Sequence, residues 1–324
     1  MKLTFEQIKA VTKGAARIAE KANGFHFYRF TENQDKYYST QSDFYYKTFG
    51  TAGIVLEFVT DSSTVTIETE NTLAASRKFV FYDIYANGTL VAHMGSRDTA
   101  VGFFGGSYKL PEGTKTLQIY FPWGSAGVLR HLELDDGSSV VPTVRPNRML
   151  IFGDSITQGY DAIYPSHSYA SVLADHLNAD ARNKGIGGDM FCPGLIDEDE
   201  QNDPNYITVA YGTNDWYFKT PEALEADARE FYGKLAAVYP NAKIFAITPI
   251  WRISERENRP GGDFTRVSSV LKRAAEGIAN VTVIDGYNLV PHDPKLYLDG
   301  GLHPAESGFA YYAERLFAKI KESL

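Results

Sequence analysis

Between residues 24 and 138 the chain is built from short apolar-rich runs. GFHFYRFTE, GIVLEFVT, STVTIETE, KFVFYDIYANGTLVAHM, SYKLPEG and KTLQIYFPW are rich in Val, Ile, Tyr and Phe, several alternate apolar and polar residues, and turn residues separate them. A period of two puts one face of a strand in a core and leaves the other to solvent. Asn87-Gly88 lies between two such runs, the pair best suited to a two-residue hairpin. The pattern predicts an antiparallel β-sandwich or jelly roll, with no long helix interrupting it. Ahead of it, Phe5, Ile8, Val11, Ala15 and Ile18 recur at spacings of three and four. That periodicity predicts an amphipathic helix over residues 4–20, capped by Thr4.

DDGSSVVPTVRPN, residues 135–147, breaks the pattern with Gly, Ser and Pro. Beyond it, buried-strand runs alternate with helical stretches: RMLIFGDS then SYASVLADHLN, YITVAYG then PEALEADAREFYGKLAAVY, KIFAITPI then FTRVSSVLKRAAEGIA, and VTVIDGYNLV then AESGFAYYAERLFAKIKESL. A shorter strand is expected near residues 180–186. Alternation of this kind predicts an α/β domain with a parallel sheet covered on both faces. The expected organisation is a helix plus sandwich over 1–138, a linker over 139–147 and an α/β domain over 148–324.

Composition narrows the function. With 324 residues, 44% of them hydrophobic, the chain can bury two cores. A net charge of −8 argues against a nucleic-acid partner, because phosphate binding needs clustered Lys and Arg. Cys192 stands alone, so no intrachain disulfide forms, and no Cys/His spacing suggests zinc. The first twenty residues lack the apolar core of a secretion signal and no later stretch suits a membrane span, so a cytoplasmic protein without a membrane partner is expected. The helix and sandwich are expected to pack either on the rim of the α/β domain or against a second copy, as a homo-oligomer.

Ligands of open parallel sheets bind beyond the carboxyl ends of the strands, and the unusual residues fall there. The first strand ends in Gly153-Asp154-Ser155-Ile156-Thr157-Gln158-Gly159, where a serine stands at the sheet rim with its N–H free to face a reacting oxygen. The alternative is a tight turn with a capping serine. The second ends in Asn183-Lys184-Gly185-Ile186-Gly187-Gly188-Asp189, whose glycines let backbone N–H approach a ligand, or simply supply positive φ. The third ends in Gly212-Thr213-Asn214-Asp215, where a side-chain amide can donate to an oxyanion or close an Asx turn. Before the last helix stands Asp299-Gly300-Gly301-Leu302-His303-Pro304, a base with a nearby carboxylate, or a helix start with an incidental histidine. Neither the G-x-S-x-G elbow nor a phosphate-binding GK[ST] loop is present.

Taken together, and in this chain order, the four motifs resemble the GDSL/SGNH hydrolases, over the half of the chain from about residue 148 onward. The resemblance implies a flavodoxin-like three-layer domain and an ester hydrolase that needs no metal or organic cofactor. It implies Ser155 as nucleophile, His303 as general base, and an oxyanion hole formed by the N–H groups of Ser155 and Gly188 and the side chain of Asn214. One departure matters. The family places its acid three residues before the histidine; here that position is Gly300, and Asp299 lies four before. A glycine bulge would return Asp299 to the imidazole; Asp293, a backbone carbonyl, or no acid at all are the alternatives.

Asp154, Trp216 and Trp251 are expected to contact substrate, the tryptophans because they sit in the polar contexts NDWYF and PIWRISER. Arg252 could contact a polar substrate or rest in a salt bridge. Phe191 and Cys192 suit packing, and Asp197-Glu198-Asp199-Glu200 suits a solvated acidic loop. A sandwich ahead of such a domain is similar in arrangement to microbial carbohydrate esterases. The expected substrate is therefore a short acyl ester, acetyl above all, on a sugar or oligosaccharide. An acyltransferase, an esterase acting on a non-sugar substrate and a non-catalytic carbohydrate-binding protein are the alternatives.

Overall fold

The alternating runs pair edge to edge into two antiparallel sheets. In the computed structural model, which describes residues 1–200 and 202–324, the first half runs α1 (Phe5–Val11), β1 (Thr12–Lys13), β2 (Arg17–Lys21), β3 (Gly24–Tyr28), α2 (Glu32–Ser39), α3 (Ser42–Thr48), β4 (Val55–Thr60), β5 (Thr64–Leu73), β6 (Val80–Ala86), β7 (Thr89–Ser96), β8 (Gly102–Lys109), β9 (Lys115–Tyr120), β10 (Ser125–Leu134) and β11 (Val141–Pro142). One sheet has the order β1-β4-β9-β6-β7, with β11 added on β4, and the other the order β2-β3-β10-β5-β8. Inward side chains of both, among them Phe27, Phe58, Ile67, Ile119 and Leu129, share one core. Asn87 and Gly88 join β6 to β7 with φ of 49° and 73°, as a two-residue hairpin of right-twisted strands requires.

Three expectations change here. The first helix stops at Val11 rather than continuing to residue 20. Its start is as expected, with Thr4 and Gln7 forming a capping box. It ends where Thr12 turns extended and pairs with Leu56 in β1; just beyond, Gly14 takes φ +82° and its N–H donates to Asp180 at 2.7 Å. A Cβ there would lie 2.2 Å from the Gly53 carbonyl oxygen, so β1 can approach β4 only with glycine at this point. Second, although no long helix interrupts the strands, two short ones that the runs do not predict lie between β3 and β4: α2 and α3, the former opened by a Thr31/Gln34 capping box. Third, the stretch expected to link the domains contributes β11, paired with β4.

The second half runs β12 (Asn147–Gly153), α4 (Ser155–Gln158), α5 (Tyr169–His176), β13 (Ala179–Asn183), β14 (Tyr206–Ala210), α6 (Thr213–Phe218), α7 (Pro221–Val238), β15 (Lys243–Ile247), α8 (Val267–Ala275), β16 (Val281–Ile284) and α9 (Glu306–Lys321). The strands are parallel, in the order β13-β12-β14-β15-β16. This is the flavodoxin-like order, and its direction reverses between β12 and β14, where a crevice opens at the strand ends. One face is covered by α5 and α9, through Leu173, Phe309 and Leu316. The other is covered by α7 and α8 through Phe231 and Leu271, joined by Tyr38 of α2. A helix from the first half thus completes a layer of the second. Among the described residues no helix is long and apolar enough to cross a membrane.

Buried cations hold the halves together. Arg29, fully buried, donates to the carbonyls of Gly50 (2.6 Å), Asn183 (2.6 Å), Gly185 (3.0 Å) and Lys47 (3.1 Å). Lys184, also buried, donates to Arg29 O and Gln34 Oε1, each at 2.8 Å, and pairs with Glu200 at 2.9 Å. Burial lowers Lys184 to about 8 and Arg29 to about 9, so both need the carbonyl and carboxylate oxygens that surround them. Glu200 and Asp197 are therefore no solvated acidic loop. Glu200 also binds Arg182 at 2.9 Å, and Asp197 accepts from Asn33 at 3.1 Å and from the Thr31 hydroxyl.

Candidate active site

Gly153 ends β12, and Ser155 opens α4 immediately after it. Asp154 is the cap: its Oδ1 accepts the Ile156 N–H at 2.9 Å, which fixes the turn on which the serine stands. The helix is one turn long because Gly159 takes φ +112°. Ser155 is 7% exposed. His303 Nε2 lies 2.7 Å from Ser155 Oγ, although 148 residues separate them.

The displaced acid reaches the histidine. Asp299 Oδ2 bonds His303 Nδ1, while its Oδ1 accepts the N–H groups of His303 (2.9 Å) and Leu302 (3.1 Å). The extra residue is absorbed by Gly300 and Gly301, whose φ values of 84° and 122° let the loop double back. Burial alone would raise the Asp299 carboxyl. The bond and charge of His303 and the two N–H groups outweigh it and hold Asp299 well below the usual carboxylate range. Asp293 is engaged elsewhere, capping residues 294–296.

The glycine loop is held from several sides. Gly185 N–H donates to Asn183 Oδ1 and Gly187 N–H to Gln158 Oε1, both at 2.8 Å, and Gln158 Nε2 reaches back to Trp123 O at 3.1 Å. Lys47 of α3 donates to Gly187 O at 2.5 Å. Gly188 has φ +90°, and a Cβ there would meet Phe44 Cε1 at 3.4 Å. Asn214, on the first turn of α6, uses one N–H to bond Asp189 O at 2.9 Å, which leaves its second amide hydrogen for another acceptor. Among the described residues the N–H groups of Ser155 and Gly188 donate to no protein oxygen. The Ser155–His303–Asp299 chain is able to generate an alkoxide-like nucleophile, with the Ser155 N–H beside it as an oxyanion donor.

Several residues absent from the sequence reading belong here. Tyr160 stacks on His303, ring centroids 5.3 Å apart. Asp161 lies beneath it, 2% exposed, and Arg77 from the β5–β6 connection pairs with Asp161. Asp161 could have been suspected three residues past Gln158. Arg77, in a turn of the sandwich, carries no local signal.

The substrate contacts expected of the tryptophans and Asp154 are corrected. Trp216 is fully buried: its indole N–H donates to Gly262 O at 2.8 Å, and its ring meets Phe264 edge-on. The polar context of NDWYF reflected one anchored N–H on a core side chain. Trp251 is packed in the second core, stacked on His292 at 5.2 Å. It lines, with Asp154 and Leu302, a cavity of about 20 Å³ behind the nucleophile, room for a single water. Arg252 donates to Thr213 Oγ1 at 3.0 Å and lies over Trp216, bracing α6. Phe191 is core, and Cys192 contacts the Tyr37 hydroxyl.

Asp154 sits under the serine, with Asp189 and Asp215 near enough to repel it. Burial first, then those two charges, raises it to about 7; burial likewise raises Asp189 to about 6. The native Asp154 carboxyl holds its proton at pH values where the unfolded chain has lost it. Between about pH 4 and 7 the native state therefore binds more protons, and stability falls as pH rises. Asn at 154 keeps the cap and removes the charge. Asp154→Asn is expected to raise stability by about 2–4 kcal/mol at pH 8 and by close to nothing at pH 4. Thermal unfolding at the two pH values checks this; a variant less stable than wild type at pH 8 would contradict it.

Comparison with known proteins gives a consistent picture. Residues 151–311 match the model of the GDSL-like lipase/acylhydrolase family. No curated protein matches the chain. Among solved structures, it is similar to the salicylyl-acyltransferase SsfX3 of a tetracycline biosynthetic pathway, with 18% identity and a TM-score of 0.82, covering 96% of this chain and 94% of that one. It is also similar to a family two carbohydrate esterase from Clostridium thermocellum in complex with cellohexaose, with 16% identity, a TM-score of 0.67, and 96% and 98% coverage. An acetyl xylan esterase from the rumen bacterium Butyrivibrio proteoclasticus aligns at 19% identity and a TM-score of 0.60 over 85% and 91%.

Proposed function

Because residues 151–311 belong to the family of GDSL-like lipases and acylhydrolases, and the chain is accordingly an ester hydrolase, we propose that it removes short acyl groups, acetyl above all, from carbohydrate hydroxyls through an acyl-enzyme on Ser155. The observation that carries the mechanism is the 2.7 Å contact between Ser155 Oγ and His303 Nε2, with Asp299 on Nδ1.

In this reading His303 Nε2 takes the hydroxyl proton as Oγ attacks the ester carbonyl carbon. The carbonyl π electrons move to oxygen, where the N–H groups of Ser155 and Gly188 and the Asn214 amide receive the charge. The C–O bond to the alcohol then breaks, and the alcohol leaves with the proton from imidazolium. Water enters, gives a proton to His303 and displaces Oγ, releasing the acid. Asp299 keeps Nδ1 protonated throughout, so Nε2 is the free base.

Two features support a short acyl group on a sugar. Phe44 and Lys47 stand close against Gly188, so a group on the acyl carbon meets an aromatic wall beside the oxyanion donors. The arrangement of sandwich and catalytic domain is shared with the esterases named above, one bound to cellohexaose and one acting on acetyl xylan. The acyltransferase SsfX3, which matches the chain over almost its full length, supports a second reading, in which an acceptor alcohol replaces water in the last step.

An acyl-chain series on aryl esters together with acetylated xylo- and cello-oligosaccharides tests the proposal. We expect kcat/KM to fall by about tenfold or more from acetyl to octanoyl, because a methylene excluded from a tight site costs on the order of 1 kcal/mol, and acetate to be released from the sugars. A preference for long chains would overturn the short-acyl reading. Ester product formed with added alcohols faster than free acid would favour transfer.

A further inference from the structure

His303 Nδ1 faces two carboxylates. Asp299 bonds it, and Asp161 Oδ2 stands 3.8 Å away on the loop after α4. An imidazole has one Nδ1–H, so two acceptors compete for it and two negative charges stabilise its protonated form. Between them reaches Arg77, from the other domain. Its Nε and Nη2 bind Asp161 Oδ1 and Oδ2 at 2.6 and 2.8 Å, a bidentate fork. The same Nη2 lies 3.5 Å from both Asp299 Oδ2 and His303 Nδ1. The guanidinium also lies over Tyr160, 5.3 Å from the ring centre, and Tyr160 is the ring stacked on His303. Asp161 is itself held at φ +70°, a conformation that Asp tolerates but does not prefer. Strained residues persist where the surroundings fix them.

We propose that Arg77, supplied by the N-terminal sandwich, is a positioning residue of the catalytic base: by pairing with Asp161 it reserves His303 Nδ1 for Asp299 and cancels the second negative charge beside the imidazole. The inference rests on Ser155 and His303 acting as described above. The groups facing His303 are Ser155 of α4, Tyr160 and Asp161 after it, Arg77 between β5 and β6, and Asp299 on its own loop. The three charged neighbours sum to −1, the charge that a lone acid would give. Without Arg77 they sum to −2, imidazolium persists to higher pH, and Asp161 is free to draw Nδ1 away from Asp299. The sandwich then has a chemical role: a docked domain is required for a competent base.

The test compares pH profiles of kcat/KM on an aryl acetate for the full chain. Arg77→Met is expected to move the acidic limb up by about one pH unit and to lower the plateau kcat about tenfold, with KM changed little. Arg77→Lys keeps the charge without the fork and is expected to restore the limb but only part of the kcat. Arg77→Met combined with Asp161→Asn is expected to return both towards wild type. Asp161→Asn alone leaves Arg77 uncompensated and is expected to move the limb down. That shift is opposite in sign, and a structural defect would not produce it. A limb that stays put in both Arg77→Met and Asp161→Asn would overturn the proposal, as would a change confined to KM, which would make Arg77 a substrate contact. Either result leaves the Ser155 mechanism standing; that mechanism fails separately, if Ser155→Ala remains active.

Discussion

Ser155→Ala is expected to lower kcat on aryl acetates by on the order of 10⁶-fold, the largest effect of any single change in the chain. The reasoning starts from what alanine keeps. The Ser155 side chain is buried, and among the described residues its Oγ bonds His303 alone. Removing it leaves the Asp154 cap, the turn of α4 and the backbone N–H in place, so the fold and substrate binding survive while covalent attack does not. The residue left over, about 10³–10⁴ above the uncatalysed rate, would come from the oxyanion donors and from binding. Because nucleophile and base act as one unit, His303→Ala in the same background should cost little more. Steady-state kinetics on protein purified free of wild-type contamination reads this directly. A kcat within tenfold of wild type would show that another residue attacks.

Asp299→Asn is expected to lower kcat by about 10⁴-fold with KM little changed. Asp299 Oδ1 already accepts two backbone N–H groups. An asparagine will keep its oxygen there, which turns its NH₂ towards His303 Nδ1. Nδ1 must then become an acceptor, the proton moves to Nε2, and the base faces Ser155 with no lone pair. The prediction is thus one of tautomer rather than of lost charge. The pH dependence follows as well. With the native carboxyl held well below the usual range, Asp299 stays ionised at any pH the enzyme tolerates, so no acid limb in the wild-type profile belongs to it. Its contribution to stability, present above the unfolded carboxylate pKa near 4, is lost only in stronger acid. A loss under tenfold in kcat would mean that the imidazole is oriented by something else.

How much of this could be read from the chain depends on how locally each feature is determined. The β-runs, the Asn87-Gly88 hairpin and the four strand-end motifs depend on neighbouring residues only, and the structure brings Ser155, His303 and Asp299 together. The single-residue offset of Asp299 was visible, and its solution, two consecutive glycines at positive φ, was spelled out in the sequence beside it. The helix expected over 4–20 stops short because Thr12 and Lys13 pair as a strand with Leu56 and Val55, more than forty positions away. The helix α2 was missed among apolar runs although Thr31 and Gln34 carried its capping box. Trp216 reads as a substrate contact because Asn214 and Asp215 precede it, yet an aromatic ring with one hydrogen-bonding atom buries well when that atom is matched. Arg29, Arg77 and Lys184 leave no trace in local pattern. Their meaning lies in which carbonyls and carboxylates the other domain places around them.

The central claim is that Ser155 alone is the nucleophile. It is met most directly by reacting the full-length protein with a fluorophosphonate and locating the adduct by peptide mass spectrometry. The account predicts one phosphonyl group, on the peptide and side chain of Ser155, with activity falling in step with labelling and no adduct in Ser155→Ala. Full esterase activity in unlabelled protein after prolonged exposure, or an adduct on a different residue, would contradict it.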